Sequence, residues 1–214
     1  MTFAAVMKLF TTVSGRRATS DLRDCEAKGH VASAPHYNSI FKYLESPTLT
    51  PILKALVEES AAPLKAIETD FAVDSSGFSS CVFERWFDVK WGKMRSEHQW
   101  VKAHLMTGVT TNIVTSVEVS AGDSADCPRL EPLLASTAKR FPAISEVSAD
   151  KGYLSRRNMD VIVNAGAVPY IPFKVTSNAK GSELWRRLFH TISTAGVSGK
   201  LPQAVERGIH VLDD

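Results

Sequence analysis

Apolar positions recur at helical spacing before residue 67 and then switch to a period of two. Tyr37, Ile40, Phe41 and Leu44 form one helical stripe, and Ile52, Leu53, Leu56 and Val57 form another. Ser20 is expected to cap a short helix that stops near Gly29, and Thr50 to cap the helix whose first residue is Pro51. Ala61-Ala62-Pro63 loosens the chain. Phe71 and Val73 then alternate with their neighbours as one face of a strand, and Ser75-Ser76-Gly77 is expected to stop that strand as a turn. Cys81–Trp91, His98–Val109 and Asn112–Val119 read as further strands, the last two joined near Thr110-Thr111.

After a polar loop, Asp126 is expected to cap a helix from Pro128 to Phe141. A strand over Ile144–Ala149 follows. Then come a helix capped by Ser155 and ended by Gly166, a strand over Ala167–Phe173, and a last helix over Glu183–Ile192. Beyond His190 the periodicity dissolves. Successive strands with short connections, followed by strand–helix–strand alternation, predict an α/β fold: a mixed sheet flanked by helices, with a small N-terminal helical segment. The expected organisation is a helical segment over 1–66, a sheet core over 67–190 and an irregular tail over 191–214.

Composition narrows function only by exclusion. The 214 residues are 44% hydrophobic and 22% charged, as in ordinary globular proteins. A net charge of +2 neither requires nor excludes nucleic acid, because local basic surface matters more than the sum. Cys25, Cys81 and Cys127 form no Cys-x-x-Cys pair and the His residues have no zinc-like spacing, so reduced thiols in the cytoplasm are expected. No apolar run is long enough to span a membrane, and Lys8 interrupts the apolar patch of Met1–Phe10.

The candidate chemistry lies in two acidic residues. Asp74 follows the strand Phe71–Val73, and Asp150 follows the strand that ends at Ala149. Either carboxylate could simply hydrogen-bond its own turn. Two strands delivering an Asp at the same sheet edge would instead bring like charges together, which calls for a cation. All-oxygen ligands suit Mg²⁺ or Mn²⁺.

Phe71-Ala72-Val73-Asp74-Ser75-Ser76-Gly77-Phe78 and Ala149-Asp150-Lys151-Gly152-Tyr153 resemble the two catalytic aspartate blocks of DDE transposases from prokaryotic insertion sequences. Ser14-Gly15-Arg16-Arg17 and Pro35-His36-Tyr37-Asn38 resemble the helical lead-in of one branch of that family. The resemblance covers almost all of Ser14–His190. It implies a ribonuclease-H-like core, a nucleoid-associated protein of mobile DNA, and DNA as partner, both transposon ends and target, with homo-oligomers among its assemblies. It also implies Mg²⁺ or Mn²⁺ at Asp74 and Asp150 for DNA cleavage and strand transfer.

Lys151 is the nearest candidate for a phosphate contact, with Arg156 and Arg157 beside it. Lys90, Lys93 and Arg95, with His98 and Lys102, are interleaved with Trp86, Trp91 and Trp100. Such a pattern suits either a DNA-tracking edge or a solvated strand over core indoles.

The family's third acid lies in a Tyr/Arg/Glu/Lys-type block after the last strand, and no such block is found here. Glu206 is in the right region with the wrong neighbours, and Glu183 comes too early. The catalytic set therefore reads as incomplete, through truncation or a frameshift. One permitted set of codons for Leu201–Asp214, read from its second base, translates as Tyr-His-Lys-Arg-Ser-Asn-Val-Glu-Ser-Thr-Phe-Ser-Met, which resembles the missing block. The chain is thus expected to be an inactive transposase, or a fragment that binds DNA or a partner transposase without cutting. An aspartyl-nucleophile phosphatase is disfavoured, because that chemistry needs a second Asp where Ser76 stands.

Overall fold

The computed structural model describes residues 1–79 and 100–195, without the side chains of 193–195. The strand expected over Cys81–Trp91, the candidates Lys90, Lys93, Arg95 and Glu206, and the tail beyond residue 195 lie outside the described residues. The chain divides into two compact units, Met1–Leu56 and Val57–Asp214.

In the first unit, α1 (Thr2–Thr11), α2 (Gly15–Ala27) and α3 (Tyr37–Leu44) bury Ala4, Ala5, Leu22 and Ile40 together. The apolar patch at the N-terminus is therefore a helix with a core face. The cap of α2 is Ser14, not Ser20: the Arg17 N–H donates to Ser14 Oγ at 3.4 Å, and Ser20 lies inside the helix. Thr50 likewise falls inside α4 (Leu49–Ala61). Ser46 makes the entry turn, accepting from Leu49 N–H through its carbonyl and from Thr48 N–H through its hydroxyl. Pro51 stays within the first turn, where no helical N–H partner is needed.

The second unit is built on a five-stranded sheet in the order β3-β2-β1-β4-β5. Its strands are β1 (Asp70–Ser79), β2 (Trp100–Gly108), β3 (Val114–Ala121), β4 (Glu146–Ala149) and β5 (Val168–Tyr170). β1, β2 and β3 pair antiparallel, while β4 pairs parallel with both β1 and β5. This is the expected mixed sheet with flanking helices, α5 (Leu130–Ala138), α6 (Arg156–Asn164) and α7 (Glu183–Ala195).

The helices share one core with the inward face of the sheet. Phe71, Val73, Met106 and Val147 meet Leu133, Leu134, Met159, Ile162 and Leu188, all buried. Phe71 stands edge-on to Phe141 with ring centroids 5.3 Å apart. Arg140 fastens the end of α4 to this core through ion pairs of 2.6 Å to both Glu58 and Glu59. α7 continues past His190 to Ala195, because its stripe of Trp185, Leu188 and Ile192 packs on that core.

Two expectations at the sheet change. β1 does not stop at Ser75-Ser76-Gly77; it stays extended to Ser79, with Gly77 opposite Lys102. The β2 backbone supplies ladder partners that outweigh the turn propensity of Ser and Gly. Asp126 does not cap α5 through its side chain. A 3₁₀ turn over Cys127–Arg129 intervenes, and the Asp126 carboxylate turns toward β2.

Candidate active site

The parallel ladder between β1 and β4 runs from Asp70↔Glu146 to Val73↔Ala149. Asp74 and Asp150 are the next residues on each strand, so they occupy neighbouring positions where β4 leaves the sheet. Adjacent strands lie about 4.8 Å apart. Asp74 is thus mid-strand toward β2, where it faces Leu105, and terminal toward β4. Alternation along β1 buries Phe71 and Val73 and leaves Asp74 exposed on the other face. Asp150 is exposed too.

Each carboxylate is oriented by the backbone after it. Asp74 Oδ1 accepts from Ser75 N–H at 2.7 Å, and Asp150 Oδ1 accepts from Gly152 N–H at 2.8 Å. Glycine at 152 leaves room for both carboxylates: a Cβ there would lie 2.9 Å from Asp150 Oδ1 and 3.2 Å from Asp126 Oδ2, and the carboxylates would have to shift. Among the described residues, the second oxygen of each aspartate has no backbone donor of this kind, and both aspartates are exposed. Such a donor set suits a hard divalent cation. Among the described residues, no three His, Cys, Asp or Glu side chains converge on one point to hold a metal ion. Any ion at the pair would therefore need water or substrate oxygens to complete its shell.

Behind the carboxylates, on the core side, lies a polar cluster that the sequence reading missed. His104 and Tyr153 are both fully buried. His104 Nδ1 lies 3.1 Å from the Tyr153 hydroxyl, and His104 Nε2 lies 2.9 Å from Ser120 Oγ. Ser120 donates to its neighbour's carbonyl, Ala121 O, at 3.2 Å. Ser120 Oγ is then the acceptor for His104 Nε2–H, and His104 Nδ1 accepts from the Tyr153 O–H. Burial pushes the His104 pKa below its ordinary 6.5, against the opposing pull of Asp126. Burial also pushes the Tyr153 phenol well above its ordinary value, against the opposing pull of the Ser75 hydroxyl; Asp126, Asp150 and Asp74 add to the rise. All three carboxylates therefore act on one phenol.

Asp126 closes the cluster, accepting from Lys102 Nζ at 2.9 Å and from Ser75 Oγ at 3.3 Å. Lys102 also donates to Ser124 O, so its ammonium is held against Asp126 and the loop that follows β3. The signals for this cluster were a histidine at an inward position of β2, two residues before Met106, and a tyrosine closing the Asp150 block.

The basic candidates near Asp150 are divided. Lys151 is exposed directly beside Asp150. Arg156 donates to Lys180 O at 2.5 Å and lies over the Trp185 ring, 5.5 Å from its centroid. Arg157 is 77% exposed and pairs with Glu131 at 2.7 Å. Trp100 is exposed on β2.

The family model described as Transposase DDE domain matches residues 66–209. No curated protein matches the chain. Among solved structures, the chain is similar to one in the simian T-cell lymphotropic virus intasome in complex with PP2A regulatory subunit B56 gamma. That likeness has 11% identity, covers 66% of this chain and 46% of that one, and has a TM-score of 0.33. It is also similar to one in the piggyBac transposase synaptic complex with hairpin DNA, with 12% identity, coverage of 85% and 44%, and a TM-score of 0.38. The chain spans less than half the length of either, and likenesses this weak carry no functional weight.

Proposed function

The chain belongs to the transposase DDE domain family over residues 66–209, and from that premise we propose that it is built for metal-dependent DNA cleavage and strand transfer at the ends of a prokaryotic insertion sequence. The observation that supports this reading is the register: Asp74 and Asp150 follow the last paired residues of adjacent parallel strands. They are the carboxylates that would hold Mg²⁺ or Mn²⁺, which when bound activates an attacking hydroxyl and stabilises a leaving oxygen at phosphorus. The protein's own contribution is placement. The N–H groups of Ser75 and Gly152 fix one oxygen of each carboxylate and leave the other for the ion. Lys151, exposed beside Asp150, supplies a cation to a DNA phosphate. The substrate is DNA, the protein works at the nucleoid, and self-association brings two transposon ends together.

We further propose that the chain as translated does not cut. Among the described residues no third acid joins Asp74 and Asp150 in a metal-holding group, and phosphoryl transfer depends on placing both metals. It then acts as a binder of DNA or of an intact transposase. The test is supercoiled DNA carrying the element's own ends, incubated with Mg²⁺ or Mn²⁺. Retarded migration of the end fragment without nicking is the expected result. Metal-dependent nicking that disappears in Asp74→Ala would show a competent site, with Glu206 the first ligand to examine.

A further inference from the structure

We propose that Tyr153 and His104 are positioning residues that tie the backbone after Asp150 to β2, the strand paired alongside Asp74 and Ser75, and so hold the two carboxylates in one geometry. The inference rests on the assignment of Asp74 and Asp150 as the metal pair.

Asp150 lies just past the end of β4, where no ladder partner fixes it. The chain after it makes a single 3₁₀ turn, Lys151–Tyr153, and the last residue of that turn is turned inward and fully buried. Its hydroxyl reaches His104 Nδ1 at 3.1 Å. His104 and Ser75 face each other in the β1–β2 register, and Ser75 is the residue directly after Asp74. One phenol therefore reaches the β2 residue paired with the strand position beside Asp74, while it anchors the turn that begins at Asp150.

The backbone of the same turn is held from the other side. Asn158, buried on α6, donates through Nδ2 to Tyr153 O at 2.7 Å and to Cys127 O at 2.8 Å. The His104 ring is fixed in turn by Ser120 of β3. β2 thus holds the Tyr153 side chain, β3 holds its partner His104, and α6 holds the Tyr153 backbone carbonyl. The arrangement corresponds to the outer-shell partners that orient metal-binding carboxylates, whose loss typically costs about 10- to 100-fold in metal affinity.

The test uses the full chain and Mn²⁺ alone, followed by calorimetry or by the signal of free Mn²⁺ in paramagnetic resonance. Tyr153→Phe keeps the ring and removes the hydroxyl, and is expected to weaken Mn²⁺ binding about tenfold. His104→Leu removes the acceptor by a second route and is expected to do the same. His104→Gln, whose amide oxygen can still accept from the phenol, should restore most of the affinity. Ile162→Val, a core change that leaves every hydrogen bond of the cluster in place, controls for stability: it should lower the unfolding temperature and leave Mn²⁺ affinity intact. Unchanged affinity in folded Tyr153→Phe or His104→Leu would reduce both residues to core packing and overturn the proposal. Equal affinity in wild type and Asp74→Asn is a separate result: it would remove the metal pair itself, and the positioning role with it.

Discussion

Asp74 and Asp150 are consecutive in register with Val73 and Ala149, the last paired residues of the parallel β1–β4 ladder. Two exposed carboxylates at neighbouring strand positions repel unless a cation lies between them. Mn²⁺ titrated into the folded protein is therefore expected to bind once at this edge. Asp74→Asn/Asp150→Asn should abolish that binding and leave the unfolding temperature nearly unchanged or slightly raised, since the repulsion goes too. Equal Mn²⁺ affinity in both proteins would place the ion elsewhere.

His104 makes stability depend on pH. Burial holds its folded pKa below 6.5, the value of the exposed residue. Between those two values the unfolded chain binds more protons than the folded one, so stability rises with pH across that window and is complete above it. Acidification through 6.5 should lower the urea midpoint, with a slope of at most about 1.4 kcal/mol per pH unit from this group. His104→Gln should flatten that part of the profile. At the alkaline end the sign reverses: the Tyr153 phenol is raised in the folded state, so stability falls once the pH passes the ordinary tyrosine value. An unchanged acid limb in His104→Gln would assign the slope to other groups.

Glu68 is a fully buried carboxylate that accepts the N–H groups of Thr110 and Thr111 at the turn between β2 and β3. Removing it takes the partner from both donors and empties the buried space that the Glu68 side chain fills. Glu68→Ala is expected to destabilise the protein by about 2–4 kcal/mol, read as a lower urea midpoint with little change in slope. A loss below about 0.5 kcal/mol would mean that water replaces the carboxylate there.

Among the described residues, β1 and β2 were legible because the alternation of Phe71 and Val73, and of His104 and Met106, survives folding, and the mixed direction followed from short antiparallel connections and then strand–helix–strand crossovers. Ser155 and Gly166 bounded α6 as read, since a hydroxyl cap and a left-handed glycine act locally. The errors arose where tertiary partners overrode local preference. Ser75-Ser76-Gly77 has turn chemistry, but β2 keeps it extended. Ser20, Thr50 and Asp126 have capping side chains, but Ser14 and Ser46 make the entries to α2 and α4, and Lys102 draws Asp126 away from α5. The cluster around His104 and Tyr153 could not be read in advance, because its members come from β1, β2, β3 and the turn after β4. Only the sheet order brings them together.

The residues after His190 lead to a prediction about the gene. Leu201–Asp214 admits codons that, read from the second base, spell Tyr-His-Lys-Arg-Ser-Asn-Val-Glu-Ser-Thr-Phe-Ser-Met. Third codon bases are often free, and after the shift these fall in the middle of the new codons. First bases are far less free, so agreement sustained over the whole stretch is improbable by chance. The expected gene carries a net shift of one base between about the codons of His190 and Leu201, and its second-base frame encodes a Tyr…Arg…Glu block. The family match itself continues to residue 209 in the translated frame, which is the competing account of the same residues. Sequencing across the 3′ end decides between them: a second-base frame without that block ends the frameshift idea. If the block is there, restoring the frame should supply the missing acid and yield metal-dependent nicking of the transposon ends, with the gain lost again in Asp74→Ala.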